Sequence, residues 1–331
     1  MQKLTSLDHT LLTKSVIKTL AYNNITTVFE FLQQDAEKLS TLTKLNLCQI
    51  LDIRNNIFTK YSAPLVDGLF LLSKSATKKR YIDIGIESLN VVLGGGIPVG
   101  YITELCGLAG SGKTQLGFQL VVNCVRETEN TILFIDTKGD FDAVRIQKIL
   151  DNLGCSHQEM ARALFKIKIV QIWTMEELIE LFKKLKNKSV NIENLAMIII
   201  DSLPCLMFQH FGDDNKIGLT YMNIFVNYCR YLCKNHDIGV LCINIQTRWV
   251  EQDITDYIDG KDQTYVEKQN RCLGKYWQHI PAVIILIERL KLDKPINVRN
   301  DGFHVKATVV RSNEIKLEQH CILTVDSLGV R

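Results

Sequence analysis

At 331 residues, with 46% apolar and 23% charged side chains, the chain can hold one large or two unequal domains and has an ordinary globular composition. A net charge of +3 permits nucleic-acid contact without arguing for it, and ten cysteines with no C-x-x-C pair give neither a zinc pattern nor a disulfide scaffold. The N-terminal MQKLTSLDHT lacks an apolar signal core, and the longest strongly apolar run, Ile280 to Ile287, is far too short to span a bilayer, so an intracellular soluble protein is expected.

Residues 1–61 show helical spacing at Leu11, Leu12, Ile17 and Leu20, again at Val28, Phe29, Phe31 and Leu32, and again at Leu47, Ile50, Leu51, Ile57 and Phe58. A helical N-terminal domain of four or five helices is expected. Such a domain can bind DNA backbone through a glycine-bearing turn or can dock a partner, and its candidate turn, Leu42 to Asn46, has no glycine. Residues 62–80 mix proline, glycine, an apolar patch and the basic run Lys78-Lys79-Arg80, which reads as a linker with a sticky strand at Phe70-Leu71-Leu72. That strand would either pack on its own domain or add to a neighbour. From Tyr81 to the end, apolar strands at 81–84, 101–106, 131–136, 166–172, 195–200 and 238–244 alternate with helices near 87–94, 113–126, 142–152, 174–187 and 219–235. The fold class is therefore α/β, a mainly parallel sheet with helices on both faces. Strands near 282–290, 303–310 and 320–325 read as a partly antiparallel edge.

The most informative stretch is YITELCGLAGSGKTQ, Tyr101 to Gln115. A β-rich run ends at Gly107, and Gly107-Leu108-Ala109-Gly110-Ser111-Gly112-Lys113-Thr114 fits G-x-x-x-x-G-K-[ST], the phosphate-binding loop (P-loop). Glycines let successive backbone N–H groups turn toward a polyphosphate, Lys113 can reach the β- and γ-phosphates, and the Thr114 hydroxyl can ligate Mg²⁺. The following residues keep helical spacing, so the loop feeds a helix N-terminus that favours anions. From average residue usage the octapeptide is expected by chance in roughly one chain of this length in a hundred. A second apolar run, Leu195 to Asp201, ends in a carboxylate of the kind that holds Mg²⁺ beside such a loop. By itself an acid at a strand end is also a common cap.

Taken in order, Tyr101–Gln115, Asp136-Thr137-Lys138-Gly139-Asp140-Phe141 with Arg145, Asp201-Ser202 and Asn244-Ile245-Gln246 resemble the RecA-type strand-exchange recombinases in their eukaryotic form. The helical N-terminal domain, the linker, Asp83 to Asn90 and Gly94 to Ile97 match that form too, so the resemblance covers nearly the whole chain. The variant loop and divergent body are similar to the paralogue branch of that family, its D-type in particular. The resemblance implies a RecA-like ATPase core at 81–331 behind a linker at 62–80, with ATP and Mg²⁺ as cofactors. It implies that the adenine stacks on Arg145, that Gln115 joins the nucleotide site, and that Gln246 senses the γ-phosphate. It also implies a nuclear location and a hetero-oligomer with other recombinase paralogues that assists filaments on single-stranded or branched DNA during homologous recombination.

One departure matters most. Active members carry a glutamate at the position of Lys138, where it deprotonates the attacking water. A lysine cannot be that base at neutral pH unless its pKa is strongly depressed. Its ammonium could pair with the γ-phosphate or with Asp140, which predicts ATP binding with slow or absent hydrolysis. The other reading has Lys138 in solvent and Asp136 or Asp140 as the base.

Two segments occupy the DNA-loop positions of the family. Cys205 to Gly218 holds Phe208, His210 and Phe211 with one cation, Lys216. Thr247 to Lys275 interleaves Arg248, Lys261, Lys268, Arg271 and Lys275 with Trp249, Tyr257 and Tyr265, a mixture suited to single-stranded DNA. Six acids in the same stretch leave it slightly negative, which weakens the affinity argument. Beside the accessory reading stand two others. One is a DNA-dependent ATPase that forms its own filament. The other is a small-molecule kinase, which would need arginines for a lid that Asp201 to Thr247 barely supplies (only Arg230).

Overall fold

The computed structural model describes residues 3–62, 65–76, 81–210, 216–252, 265–290, 302–312 and 319–331, and not the side chains of 74–76, 249–252 and 265–269. The chain divides into two compact units, Met1–Lys78 and Lys79–Arg331.

In the first unit, residues 1–61 form four helices, α1 (Lys14–Tyr22), α2 (Val28–Gln33), α3 (Ala36–Thr43) and α4 (Leu47–Tyr61). Side-chain caps start three of them: Thr13 for α1, Thr27 for α2 and Asn46 for α4. Leu12, Leu20, Phe31, Leu39, Ile50, Ile53 and Ile57 are fully buried and make the core. Between α3 and α4 the glycine-free turn puts Lys44 in the left-handed region at φ 60°. Ser40 Oγ donates to Leu45 O at 2.6 Å, so this turn is tied into its own helices.

Phe70-Leu71-Leu72 is not a strand. It lies on helix α5 (Gly68–Ala76), whose start is capped by Asp67 Oδ1 accepting from Phe70 N at 2.7 Å. Phe and Leu are not β-branched, and a short apolar run fits either structure, so the capping aspartate decides. Leu69 to Leu72 are all more than half exposed.

The second unit begins with the small β1–β2 pair (Tyr81–Ile82, Ile97–Pro98) around α6 (Glu87–Val92). Its main sheet is built from β3 (Ile102–Gly107), β4 (Thr131–Asp136), β5 (Ile167–Gln171), β6 (Leu195–Asp201), β7 (Gly239–Ile243) and four later strands. Before these last comes a separate hairpin, β8 (Gln246–Gln252) with β9 (Tyr265–Arg271). The four are β10 (Val283–Arg289), β11 (Phe303–Arg311), β12 (His320–Asp326) and β13 (Gly329–Val330). Strand order is β13-β12-β11-β10-β3-β7-β6-β4-β5. The pairs from β10 through β5 are parallel, and those from β10 to β13 antiparallel.

Helix α7 (Lys113–Arg126), α8 (Ala143–Asn152) and α9 (His157–Phe165) cover one face, and α10 (Met175–Lys186) and α12 (Lys216–His236) the other. Short helices α11 (Leu203–Met207) and α13 (Gly274–Trp277) follow β6 and β9. Two apolar cores result, one on each side of strands that alternate their buried side chains between faces. Among the described residues no helix is long and apolar enough to cross a membrane. The parallel strands β3, β4, β6 and β7 end at one edge, so their following turns converge there. In an open parallel sheet, ligands bind in the crevice outside such carboxyl ends.

Candidate nucleotide site

The phosphate loop leaves β3 at Gly107. A side chain there would strike the Ile287 carbonyl oxygen on neighbouring β10, 2.3 Å from an ideal Cβ, so close strand approach demands glycine. Gly110, at φ 72°, faces open space, and its backbone lies in the left-handed region that a side chain rarely adopts. Gly112 then caps α7 at φ 89°. Leu108 is half-buried, Ala109 exposed and Ser111 buried. Lys113 folds back over the loop, its Nζ 2.9 Å from Gly107 O, 2.7 Å from Leu108 O and 3.4 Å from Ser111 Oγ. Burial pulls its pKa below the ordinary lysine value, against the raising influence of Cys106 and Asp201.

At the loop's end Thr114 Oγ1 donates to Asp201 Oδ2 at 2.6 Å, across 87 positions of sequence. Asp201 is 2% exposed at the end of β6. Its other oxygen, Oδ1, faces the Lys138 ammonium at 3.0 Å, a charge contact that lacks hydrogen-bond alignment. The same ammonium lies 3.3 Å from Asp140 Oδ2. Burial works against the charged form of Lys138, but the Asp201 and Asp140 carboxylates outweigh it and hold its pKa above the usual lysine value.

Asp136 has a different task. Its Oδ1 accepts from the backbone N–H groups of Lys138, Gly139 and Asp140 at 3.1, 2.9 and 3.2 Å, and Oδ2 accepts from Phe141 N at 3.0 Å. Phe141 anchors the far end of this turn by edge contacts to Phe118 and Phe134, with ring centroids 5.4 and 5.1 Å away. Asp136 thus shapes the turn that delivers Lys138, and its lone pairs are already taken. Of the two acids offered as a substitute base, Asp136 is taken up by the turn, whereas Asp140 is exposed and meets Lys138 through Oδ2.

Arg145, on α8, donates through Nε to Gln115 Oε1 at 2.7 Å and through its terminal nitrogens to the Asp326 and Ser327 carbonyls. The guanidinium is thereby fixed beside the loop helix by the β12–β13 turn. Gln246 begins β8 with a buried Oε1 that has no hydrogen-bond partner. A buried acceptor without a donor is costly, and a ligand or water donor would relieve it.

Sequence reasoning missed a buried acid on the strand that carries the loop. Glu104, fully buried in β3, accepts from Asn244 Nδ2 at 2.8 Å and Trp277 Nε1 at 3.1 Å, and pairs with Arg271 at 3.2 Å. Burial raises its pKa, while Asn244, Arg271 and Trp277 pull the other way. The available signal was a charged residue inside the apolar run Ile102 to Cys106. This cluster ties β3, β7 and α13 to the base of the hairpin, so Arg271, expected on DNA, directs its guanidinium inward.

Arg248 and Lys275 are exposed, while Trp249 and Lys268 are register partners in the hairpin ladder. Lys261 and the rest of 253–264 lie outside the described residues, as do Phe211 and its neighbours to 215. The described DNA-loop cations are therefore not one group.

Fit to the expected ligands divides in two. The glycine backbone of the loop, the loop lysine and the helix N-terminus fit a triphosphate. Thr114 and Asp201 are brought together as a metal pair would be, yet a fixed ammonium already neutralises the Asp201 oxygen that Mg²⁺ would take, and this part does not fit.

A glycine-lined loop between β3 and α7, with an acid at the end of a nearby parallel strand, defines a phosphate-loop α/β fold, and its class is RecA-like. The crystal structure of the RadB recombinase shares that fold, with a TM-score of 0.57 over 75% of this chain and 98% of that one at 19% identity. The Rad51 family profile matches residues 77–271, and the profile of the RAD51D N-terminal domain matches residues 1–58. The chain belongs to the Rad51 family. It is 23% identical to the DNA repair protein RAD51 homolog 4 of Bos taurus over 282 residues, 84% of this chain and 82% of that protein. It is also 31% identical to the DNA repair and recombination protein RadA of Aeropyrum pernix over 230 residues, 68% of each.

Proposed function

We propose that this chain is an ATP-binding accessory protein of homologous-recombination DNA repair. It acts in the nucleus within a hetero-oligomer of recombinase paralogues, and that assembly supports recombinase filaments on single-stranded or branched DNA. It binds ATP with little or no turnover. Its kinship to proteins named for DNA repair supports the pathway, and the match to the RAD51D N-terminal domain supports the paralogue setting.

The observation that carries the low-turnover reading is the Lys138 ammonium lodged against Asp201 and Asp140. An ammonium held between two acids has no lone pair for a water proton, and a positioned general base contributes roughly a hundredfold or more to rate. ATP is the expected ligand of loop residues Gly107 to Gln115, with Arg145 on the base side and Gln246 toward the γ-phosphate. Among the described DNA-loop cations, Arg248 and Lys275 are exposed, and they are proposed to meet DNA phosphates.

The test is to purify the full chain with the proteins that co-associate in cells. Nucleotide content, partner identity and ATP turnover are then read for wild type, Lys113→Ala and Lys138→Glu, with and without single-stranded DNA. The proposal expects bound nucleotide, paralogue partners and negligible wild-type turnover. DNA-stimulated hydrolysis that depends on Lys113, with polymers of this chain alone on DNA, supports an active filament-forming ATPase instead.

A further inference from the structure

Two side chains touch the Asp201 carboxylate, one on each oxygen: the Thr114 hydroxyl at 2.6 Å and the Lys138 ammonium at 3.0 Å. Thr114 is the last residue of the phosphate loop, so a positive charge carried by the protein itself stands at the loop's phosphate end. A Mg²⁺ ion bound directly to Asp201 would need an oxygen at about 2.0–2.1 Å and near-octahedral space around it. The ammonium holds that oxygen, and a divalent ion there would face a like charge in a buried setting where screening by water is weak. Lys138 is not held by chance. The Asp136 carboxylate fixes the backbone of residues 138 to 141, Phe141 pins the turn into an aromatic cluster, and Asp140 offers the ammonium a second acid.

We propose that the Lys138 ammonium takes the place of a divalent metal at Asp201, so that this site binds a nucleoside triphosphate with little dependence on Mg²⁺. The inference rests on the nucleotide-binding reading above. Lys113, whose ammonium leans on loop carbonyl oxygens, remains the cation for the phosphates, while Lys138 offsets the Asp201 charge that a metal would otherwise offset.

Equilibrium binding of a fluorescent ATP analogue to the full chain, in Mg²⁺ and in EDTA, tests it. Wild-type Kd is expected to change by less than about threefold between the two conditions. Lys138→Met is expected to bind in Mg²⁺ but to lose about tenfold or more of its affinity in EDTA, and Lys138→Arg to restore the wild-type pattern. Near-wild-type melting temperatures identify the folded variants. A wild-type protein that loses about tenfold or more in EDTA overturns the inference while leaving nucleotide binding intact. So does a folded Lys138→Met that binds equally in both conditions. Failure of wild type to bind in either condition overturns the nucleotide reading, and this inference with it.

Discussion

The phosphate loop and the base of the β8–β9 hairpin both set a basic residue beside strand β3, and they use it in opposite ways. In the loop, Lys113 leans on neutral carbonyl oxygens, so its charge remains uncompensated and ready for an anion. At the hairpin base, Arg271 is paired with the fully buried Glu104, so its charge is consumed in holding the hairpin to the sheet. A cation's role follows from what the fold buries beneath it, not from the loop in which it is written. Lys138 lies between the two cases, paired to protein acids yet facing the place where phosphates would lie.

The largest effect should come from breaking the inward pair. Arg271→Met leaves Glu104 buried without its counter-charge, and a loss of about 3–5 kcal/mol in folding stability is expected. Adding Glu104→Gln should recover most of it, because no unpaired charge then remains buried. Chemical denaturation of the two singles and the double variant measures this coupling. If Arg271→Met is as stable as wild type but weakens DNA binding, the residue faces DNA and the contrast is wrong.

Lys113→Ala should do the reverse. Nucleotide affinity should fall by about a hundredfold, or ~2.7 kcal/mol, while the melting temperature without nucleotide is unchanged or higher. Calorimetric titration and a thermal melt on the same sample check both halves. Lys138→Glu sharpens the middle case: restoring a base at that turn should raise ATP turnover by about tenfold or more, a barrier change of ~1.4 kcal/mol.

The smallest effect lies in the N-terminal unit, at the buried Asp8. Burial raises the Asp8 carboxyl, but hydrogen bonds from Lys60, Tyr61 and Thr5 outweigh this and hold its pKa at about 2, below the model-peptide 3.8. A carboxylate with a depressed folded pKa stabilises the fold above its unfolded pKa and loses that contribution on acidification. Hydrogen-exchange protection in α4 should therefore fall as pH drops from near 4 toward 2, and Asp8→Asn should flatten that dependence.

Much of this architecture could be read from residues. Gly107 to Thr114 states its own geometry, because a loop that exposes backbone to phosphate leaves few residue choices. The alternation of apolar strands and amphipathic helices from Tyr81 onward carries the parallel sheet. Helix α9 was not expected, although Ser156 and Glu159 form a capping box with mutual hydrogen bonds that could have signalled it. Short apolar Phe70 to Leu72 has no period to separate strand from helix, and only Asp67 marked the difference. The partners of Lys138 were half legible: Asp140 is a near neighbour in sequence, whereas Asp201 meets it only because β4 and β6 pair in register, Asp136 beside Asp201. Glu104 and Arg271 are 167 positions apart, and no local pattern announces a pair closed by tertiary folding.

The most direct test of the account is a single-turnover assay in which the full chain is loaded with ATP and the bound nucleotide is identified over time. The account predicts that the nucleotide is recovered as the triphosphate from wild type and as the diphosphate from Lys138→Glu. Steady conversion to diphosphate by wild type, abolished by Lys113→Ala, would contradict it.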